Sequence, residues 1–502
     1  MASKTESVSA LKYTTSEPQD TVQNEKLLPV AALSKRADAL DALRGIAVLA
    51  MVLSGTIARK TLPAWMYHAQ EAPPIHAFNP KLAGLTWVDL VFPFFLFAMG
   101  AAIPLALSRR ITKGWDIKTI ILSILQRGFL LGSFAIFLQH IRPTVIDPNE
   151  PGSHKWWLGL CGFLILFLMF VRWPTKKLPW LRIGTTIAAW SAGILFVSRI
   201  KYPNGIGFDF NRSDIILVVL ANMAVFGSII WLFTRSNTWL RVGFLGFIFA
   251  MRLASRTDGW IKLVWFYSPA PGIFQFDYFK YLFIVIPGTI VGDLLYRWIE
   301  YRSPEDQIYA NWKSPRYFSI FILMFAINLV LLVGLQARLV WQTSLVTLVL
   351  CLCGLVLLKN PGNITENLLN RLYKWGFYWL VLGLLFEPYE GGIKKDSATM
   401  SYFFVTTGMA IFMLIGLTVI IDVFQKRWWL QLFIDNGVNP MIGYVGFANI
   451  VWPILVLNQW EPVIIEMTST DPFMGFLRGF GYTAIVALIV VVFTRFKLFL
   501  RT

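Results

Sequence analysis

Four histidines occur in this 502-residue chain, at positions 68, 76, 140 and 154, and none follows His154. Histidine is the side chain best suited to exchange a proton near neutral pH. A proton-transfer site built on histidine therefore lies in the first third of the chain. His76 sits in a polar segment between the first two membrane-length apolar stretches, within MYHAQEAPPIHAFNPKLAGLTWVDLVFPFF. Asp89 follows on the same loop-to-helix passage. A carboxylate beside an imidazole orients the ring and stabilises its protonated form. The expected catalytic pair is therefore His76 and Asp89. His68 has no special neighbour in sequence, and His140 and His154 bracket a second short loop and read as solvated.

Other polar residues stand where a membrane chain does not place them for free. Arg36, Asp38, Asp41 and Arg44 open the first apolar stretch, and Asp41 and Arg44 have the spacing that pairs side chains on one helix face. Arg127, Asn222, Asp293 and Glu387 fall within or beside later apolar stretches, where ionisable groups are costly and mark function or helix-to-helix contact. Ser401 and Tyr402 open one stretch, and Asn436, Asn439 and Tyr444 cluster at the start of another. As a generic pattern these read as caps and turns. Arg36, Arg44 and Arg127 are candidates for an anionic cofactor, and Asn222, Tyr402 and Asn439 for contacts to a substrate or an oxyanion. There is no phosphate-binding loop, no G-x-S-x-G elbow, no H-E-x-x-H pair and no metal-ligand spacing. The three cysteines, Cys161, Cys351 and Cys353, lie in apolar stretches and read as buried thiols.

The elements that must position these groups are membrane helices. Hydrophobic residues make up 56% of the chain and charged residues 15%, and the mean hydropathy is +0.60. A soluble globular chain carries about 25% charged residues. Apolar runs long enough to cross a bilayer recur from Ala42–Ala58 and Val88–Leu107 to Met441–Leu457 and Phe473–Phe493. Trp239–Ala254 and Trp375–Phe386 are short for a full span. The expectation is an all-α, polytopic bundle of 11 to 14 helices.

A net charge of +17 does not point to nucleic acid here. Lys and Arg gather after even-numbered stretches, at Arg109, Arg110, Lys113 and Lys118, at Arg172, Lys176, Lys177 and Arg182, at Arg297, Arg302, Lys313 and Arg316, and at Lys426 and Arg427. Cytoplasmic loops concentrate such residues, so both termini are expected in the cytoplasm and the His76 loop outside. Residues 1–35 are polar and read as a disordered cytoplasmic tail, with one transmembrane domain over 36–502.

In this order, the motifs resemble the family of heparan-alpha-glucosaminide N-acetyltransferase and its bacterial relatives. The opening segment is RADALDALRG, Arg36 to Gly45. The block GLTWVDLVFPFFLFAMG, Gly84 to Gly100, is the specific part of the match. Ser401–Tyr402 and the NPMIGYVG segment, Asn439 to Gly446, follow near the end. The resemblance implies a transmembrane acyltransferase of the bacterial inner membrane. Acetyl-CoA would be the donor, with no metal, and an amino sugar or related glycan would accept on the outer side. A homodimer is implied as well. The family's essential histidine lies in the loop before the G-L-T block, where His76, followed by Ala77, is the better fit. At the end of the first helix the family carries an Asn where this chain reads LSGT, with Ser54 and Gly55. The alternatives are a transporter or flippase for a sugar or lipid intermediate, and a non-catalytic component of envelope polysaccharide metabolism.

Overall fold

The computed structural model describes residues 36–500 apart from 148, 150, 151, 173–178, 204, 206 and 304–309. The expected tail over residues 1–35, and Lys176 and Lys177, lie outside the described residues. The chain is all-α, as its apolar periodicity requires. In chain order the helices are α1 (Asp38–Thr56), α2 (Trp87–Thr112), α3 (Ile117–His140), α4 (His154–Phe170), α5 (Pro179–Arg199) and α6 (Ile215–Thr234). There follow α7 (Thr238–Ala254), α8 (Trp260–Phe266), α9 (Leu282–Tyr301), α10 (Ser314–Gln336), α11 (Val340–Leu357) and α12 (Ile364–Leu385). The last six are α13 (Met400–Thr418), α14 (Gln431–Val438), α15 (Pro440–Gly446), α16 (Trp452–Leu457), α17 (Trp460–Thr468) and α18 (Pro472–Arg495). A two-residue pairing of Val171 with Leu500 and Arg172 with Phe499 is the one sheet among the described residues.

Ten helical segments among the described residues are long and apolar enough to cross a membrane, which makes this an integral membrane protein. The runs His154–Phe170 and Ile183–Arg199 are apolar and shorter, at the lower edge of bilayer length. The run Trp239–Ala254 forms α7 with Arg241 and Arg252 inside it, and Trp375–Phe386 is the second half of a longer α12 with a polar first half.

Tight backbone crossings hold the bundle together. Lipid supplies no hydrophobic force between helices, so close approach of small residues and buried polar contacts must do so. On α2, a side chain at Gly100 would run into the carbonyl of Val285 on α9, and one at Gly288 of α9 would meet the carbonyl of Phe97. On α1, Gly45 lies against the backbone of Phe433 in α14 in the same way. α13 forms the central pillar, with Met400 to Phe412 buried throughout. Arg44 donates to the carbonyls of Gly437 and, across to α2, Ala98, at 3.0 and 3.4 Å. Arg44 and Ala98 are about equally far from the loop joining α1 to α2, so the bond fixes those helices antiparallel at matched depth.

The bundle thus has two ends. One carries the starts of α1 and α12 and the ends of α2, α6 and α9. It holds Arg36 and Arg44 with Asp41, Arg427 with Asp38 and Arg302 with Asp422. The other carries the loop from α1 into α2, including both His68 and His76.

Candidate functional site

The loop end brings one histidine to Asp89, and it is His68. Asp89 is the third residue of α2 and 1% exposed. Its Oδ2 accepts the backbone N–H of Thr86 at 2.9 Å and of Ala69 at 3.3 Å, so the carboxylate caps the helix, as an acid at this position should. Its Oδ1 stands 3.3 Å from His68 Nδ1. On the other side of the ring, His68 Nε2 lies 3.2 Å from Asp396 Oδ2. The imidazole is 12% exposed and spans two carboxylates, one sealed at 1% and one open at 52%.

This geometry gives the ring two proton arrangements. In the neutral form Nε2–H donates to Asp396, and Nδ1 accepts the backbone N–H of Gln70 at 3.1 Å. In the protonated form Nδ1–H turns to Asp89 Oδ1, which is buried and otherwise without a hydrogen-bond partner. Burying an unsatisfied acceptor costs about 1–3 kcal/mol, so Asp89 stands ready to stabilise an imidazolium that forms next to it.

Asp396 is held through its backbone. The Gln70 side chain, 1% exposed, pairs with its backbone: Oε1 accepts the Asp396 N–H at 2.9 Å, and Nε2 donates to the Asp396 carbonyl. Arg252 donates to the carbonyl of Ala398 at 2.6 Å and pairs with Glu390 at 3.1 Å. The hydrogen bond from His68 holds the Asp396 carboxyl below the usual carboxylate range, with Lys395 and Lys280 adding to the effect against partial burial. Tyr402, fully buried at the start of α13, donates its hydroxyl to the Asp89 carbonyl at 2.8 Å. Its neighbour Ser401 is 0% exposed, and its hydroxyl has no partner. The chemistry within reach is proton transfer through an oriented imidazole, with Asp396 at the open face.

His76, expected as the base, is elsewhere. It has φ +52°, its Nε2 accepts the N–H of Lys60 at 3.2 Å, and its ring stands edge-on to Tyr67 at 4.6 Å. The loop folds back so that the first of two His-Ala pairs, His68–Ala69, reaches Asp89, and the second, His76–Ala77, packs on Tyr67. The alanine after His76 favours it in the sequence, yet the same dipeptide stands at His68 and so does not separate the two. Asp396 lies in the IKKDSATMSY segment, whose polar residues read only as caps and turns. Gln70 had no signal of its own.

The remaining candidates separate. Asn439 spends its side chain on the C-terminal segment, donating to the Leu498 carbonyl at 2.9 Å, and does not reach His68. Asn222 donates to the carbonyls of Val218 and Ile273, both at 2.8 Å, and acts as a clip. Asp293 pairs with the fully buried Arg241 at 2.7 Å, and Glu387 with Arg338 at 2.6 Å. Both are internal ties. Arg36 and Arg44 share Asp41 at the opposite end, and Arg127 lies exposed on α3 within the field of Arg44 and Arg110. His140, expected in solvent, is 0% exposed. It stacks on Phe208 and accepts the Asp209 N–H at 3.2 Å. Cys351 is buried, whereas Cys161 and Cys353 are exposed on their helices. Among the described residues no cluster of His, Cys, Asp and Glu suits a metal ion.

Two cavities open at the same end. One of about 460 Å³ lies between the ends of α1 and α3 and the start of α6, and a second of about 390 Å³ adjoins it. Neither is lined by His68, Asp89 or Asp396.

No curated protein matches the chain. A family described as Domain of unknown function (DUF5009) matches residues 36–295, a span that includes His68, Gln70 and Asp89 and stops before Asp396. That span is more than half of the chain, and the protein belongs to this family.

Proposed function

We propose that the protein is a membrane acetyltransferase that moves an acetyl group from acetyl-CoA to an amino sugar or related glycan. In this reading it lies in a bacterial inner membrane with both termini in the cytoplasm, and the His68 end faces outward. The observation that carries the reading is the imidazole held between Asp89 and Asp396 at the mouth of the loop end. The resemblance of the Gly84 to Gly100 block to the heparan-alpha-glucosaminide N-acetyltransferase family supplies the donor and the acceptor class.

The acceptor amine attacks the thioester carbonyl, a C–N bond forms, the C–S bond breaks and CoA leaves. The amine must lose a proton in that step, and His68 takes it while Asp89 stabilises the resulting charge. The proton then passes to the departing thiolate. To serve as base the ring takes its other tautomer, with Nδ1–H toward Asp89 Oδ1, and receives the amine proton on Nε2 at the open face beside Asp396. On the donor side, Arg36 and Arg44 at the basic end, and Arg127 about midway along α3, supply positive charge for an anionic CoA.

The test is the full chain in vesicles, given radiolabelled acetyl-CoA and a panel of amino sugars. The expected result is label in an N-acetylated sugar with release of one CoA thiol per acetyl group. Absence of both CoA binding and thiol release with every amine would overturn the reading.

A further inference from the structure

At the basic end, the last turns of α9 and the first turns of α12 enclose a cavity of about 340 Å³ whose lining holds two arginines and no acid. α9 supplies Leu294, Arg297 and Tyr301, and α12 supplies Ile364, Leu368 and Arg371. Each set has helical spacing, so each forms one stripe along its helix. Trp298 Nε1 donates to the Thr365 hydroxyl at 3.0 Å and ties the two helices at that depth. α9 runs toward the basic end and α12 away from it. Side chains lean toward the N-terminus of their own helix. Arg297 therefore leans into the membrane, while Arg371, about 9 Å along α12 from Thr365, leans back toward the surface. Both side chains reach the one cavity.

These two arginines differ from others at this end in lacking a counter-charge. Arg36 and Arg44 share Asp41, Arg302 meets Asp422, Arg427 meets Asp38 and Arg241 meets Asp293. Arg297 and Arg371 are exposed on their helices and form no ion pair among the described residues. Glu300, the acid nearest to Arg297 in sequence, lines the adjoining cavity toward α2 and α6 and makes no ion pair with it. Arg297 stands one turn inside Tyr301, the last residue of the apolar span Phe276–Tyr301. A lone arginine there would relieve its charge by snorkelling to water, but its Cα–Cβ bond points the other way. An anion within the groove satisfies both guanidiniums. Free phosphate would leave the apolar part of the lining unused. A phosphate esterified to acyl chains uses both parts, because Leu294 lies one turn deeper than Arg297 and Leu368 lies beside Arg371 on α12. Tyr301, 71% exposed, stands at the level where aromatic side chains meet lipid headgroups.

We propose that the groove between α9 and α12 binds one anionic phospholipid from the leaflet at the basic end, its phosphate held by Arg297 and Arg371 and an acyl chain laid over Leu294 and Leu368. Basic pockets between membrane helices recognise anionic headgroups by this chemistry. Asn367, also on the lining, gives its Nδ2 to the Asn363 carbonyl at 2.9 Å. That leaves its Oδ1 to accept from a headgroup hydroxyl, as phosphatidylglycerol carries. The inference depends neither on acetyl transfer nor on which end of the bundle faces the cytoplasm.

The experiment is native mass spectrometry of the full-length protein in non-ionic detergent, titrated with dioleoyl phosphatidylglycerol or with dioleoyl phosphatidylcholine. One saturable copy of phosphatidylglycerol is expected, held at least about tenfold tighter than phosphatidylcholine. Arg297→Gln with Arg371→Gln should remove that preference. Lys113→Gln with Lys118→Gln takes the same charge from the same end outside the groove and should leave the preference in place. Inorganic phosphate, glycerol phosphate and CoA, each in excess, should not displace the lipid. Displacement by any of them would make the groove a site for a soluble anion and overturn the proposal. An equal loss of preference in the lysine variant would reduce the effect to net charge and overturn it as well. If the arginine variant does not fold, the wild-type titration still decides, because equal retention of the two lipids overturns the proposal by itself.

Discussion

His68 and His76 lie in one loop, and each is followed by an alanine. His68 is reached from three directions: by Asp89 from the start of α2, by the Gln70 N–H from its own loop, and by Asp396 from the segment before α13. Among the described residues, the His76 ring is met by a backbone N–H and by the edge of Tyr67. The first ring has two defined proton arrangements and a charged group to stabilise each, whereas the second has neither. The difference teaches that position in a loop does not make a histidine a base. What matters is which carboxylates the surrounding helices deliver to it.

The comparison is most easily broken by removing the proton carrier. A general base contributes about 10²–10⁴-fold, so His68→Ala should lower kcat/KM for acetyl transfer by at least about 10²-fold while His76→Ala costs less than about threefold. Asp89→Asn keeps most of the cap but removes the charge behind His68. We expect a loss of about 10²-fold in kcat with KM nearly unchanged. In Asp89→Ala the cap goes too, and thermal unfolding should show about 1 kcal/mol lost.

Asp396→Asn should cost about tenfold in kcat, since the open carboxylate assists and Asp89 still stands behind the ring. The same residue gives a pH test. Its carboxyl sits below the usual carboxylate range because of the His68 hydrogen bond. Its contribution to holding the loop is therefore fully present above the ordinary carboxylate value and is lost as pH falls through the lowered one. Hydrogen exchange of the segment around Asp396 should rise only at that acid end, and Asp396→Asn should abolish the transition. The smallest effect is expected at His76, whose φ of +52° is a conformation glycine adopts without cost. His76→Gly should leave the melting temperature unchanged or slightly raised, and a clear loss of stability would show that the ring matters more than the contacts suggest.

Much of this was legible in the sequence, for identifiable reasons. The helices follow from apolar runs of bilayer length, because hydrocarbon admits few other solutions. Asp89 followed from its place in the first turn of α2, and Tyr402 from the polar start of α13, although its hydroxyl meets a carbonyl rather than a substrate. His68 was not legible, because both His-Ala pairs satisfy the same local pattern and only the loop's path chooses between them. Asp396 comes from a segment far along the chain, a contact that no spacing encodes. Asn439 and Asn222 were misjudged for a related reason: their donors go to backbone carbonyls of distant segments. The departure at Ser54 and Gly55 gained a place, since Gly55 lines both cavities at the loop end.

The most direct measurement is acetyl transfer by His68→Ala and His76→Ala in the same vesicle preparation, with radiolabelled acetyl-CoA and an amino-sugar acceptor. The account expects transfer to disappear in His68→Ala and to persist in His76→Ala. Full transfer by His68→Ala, with loss in His76→Ala, would contradict it.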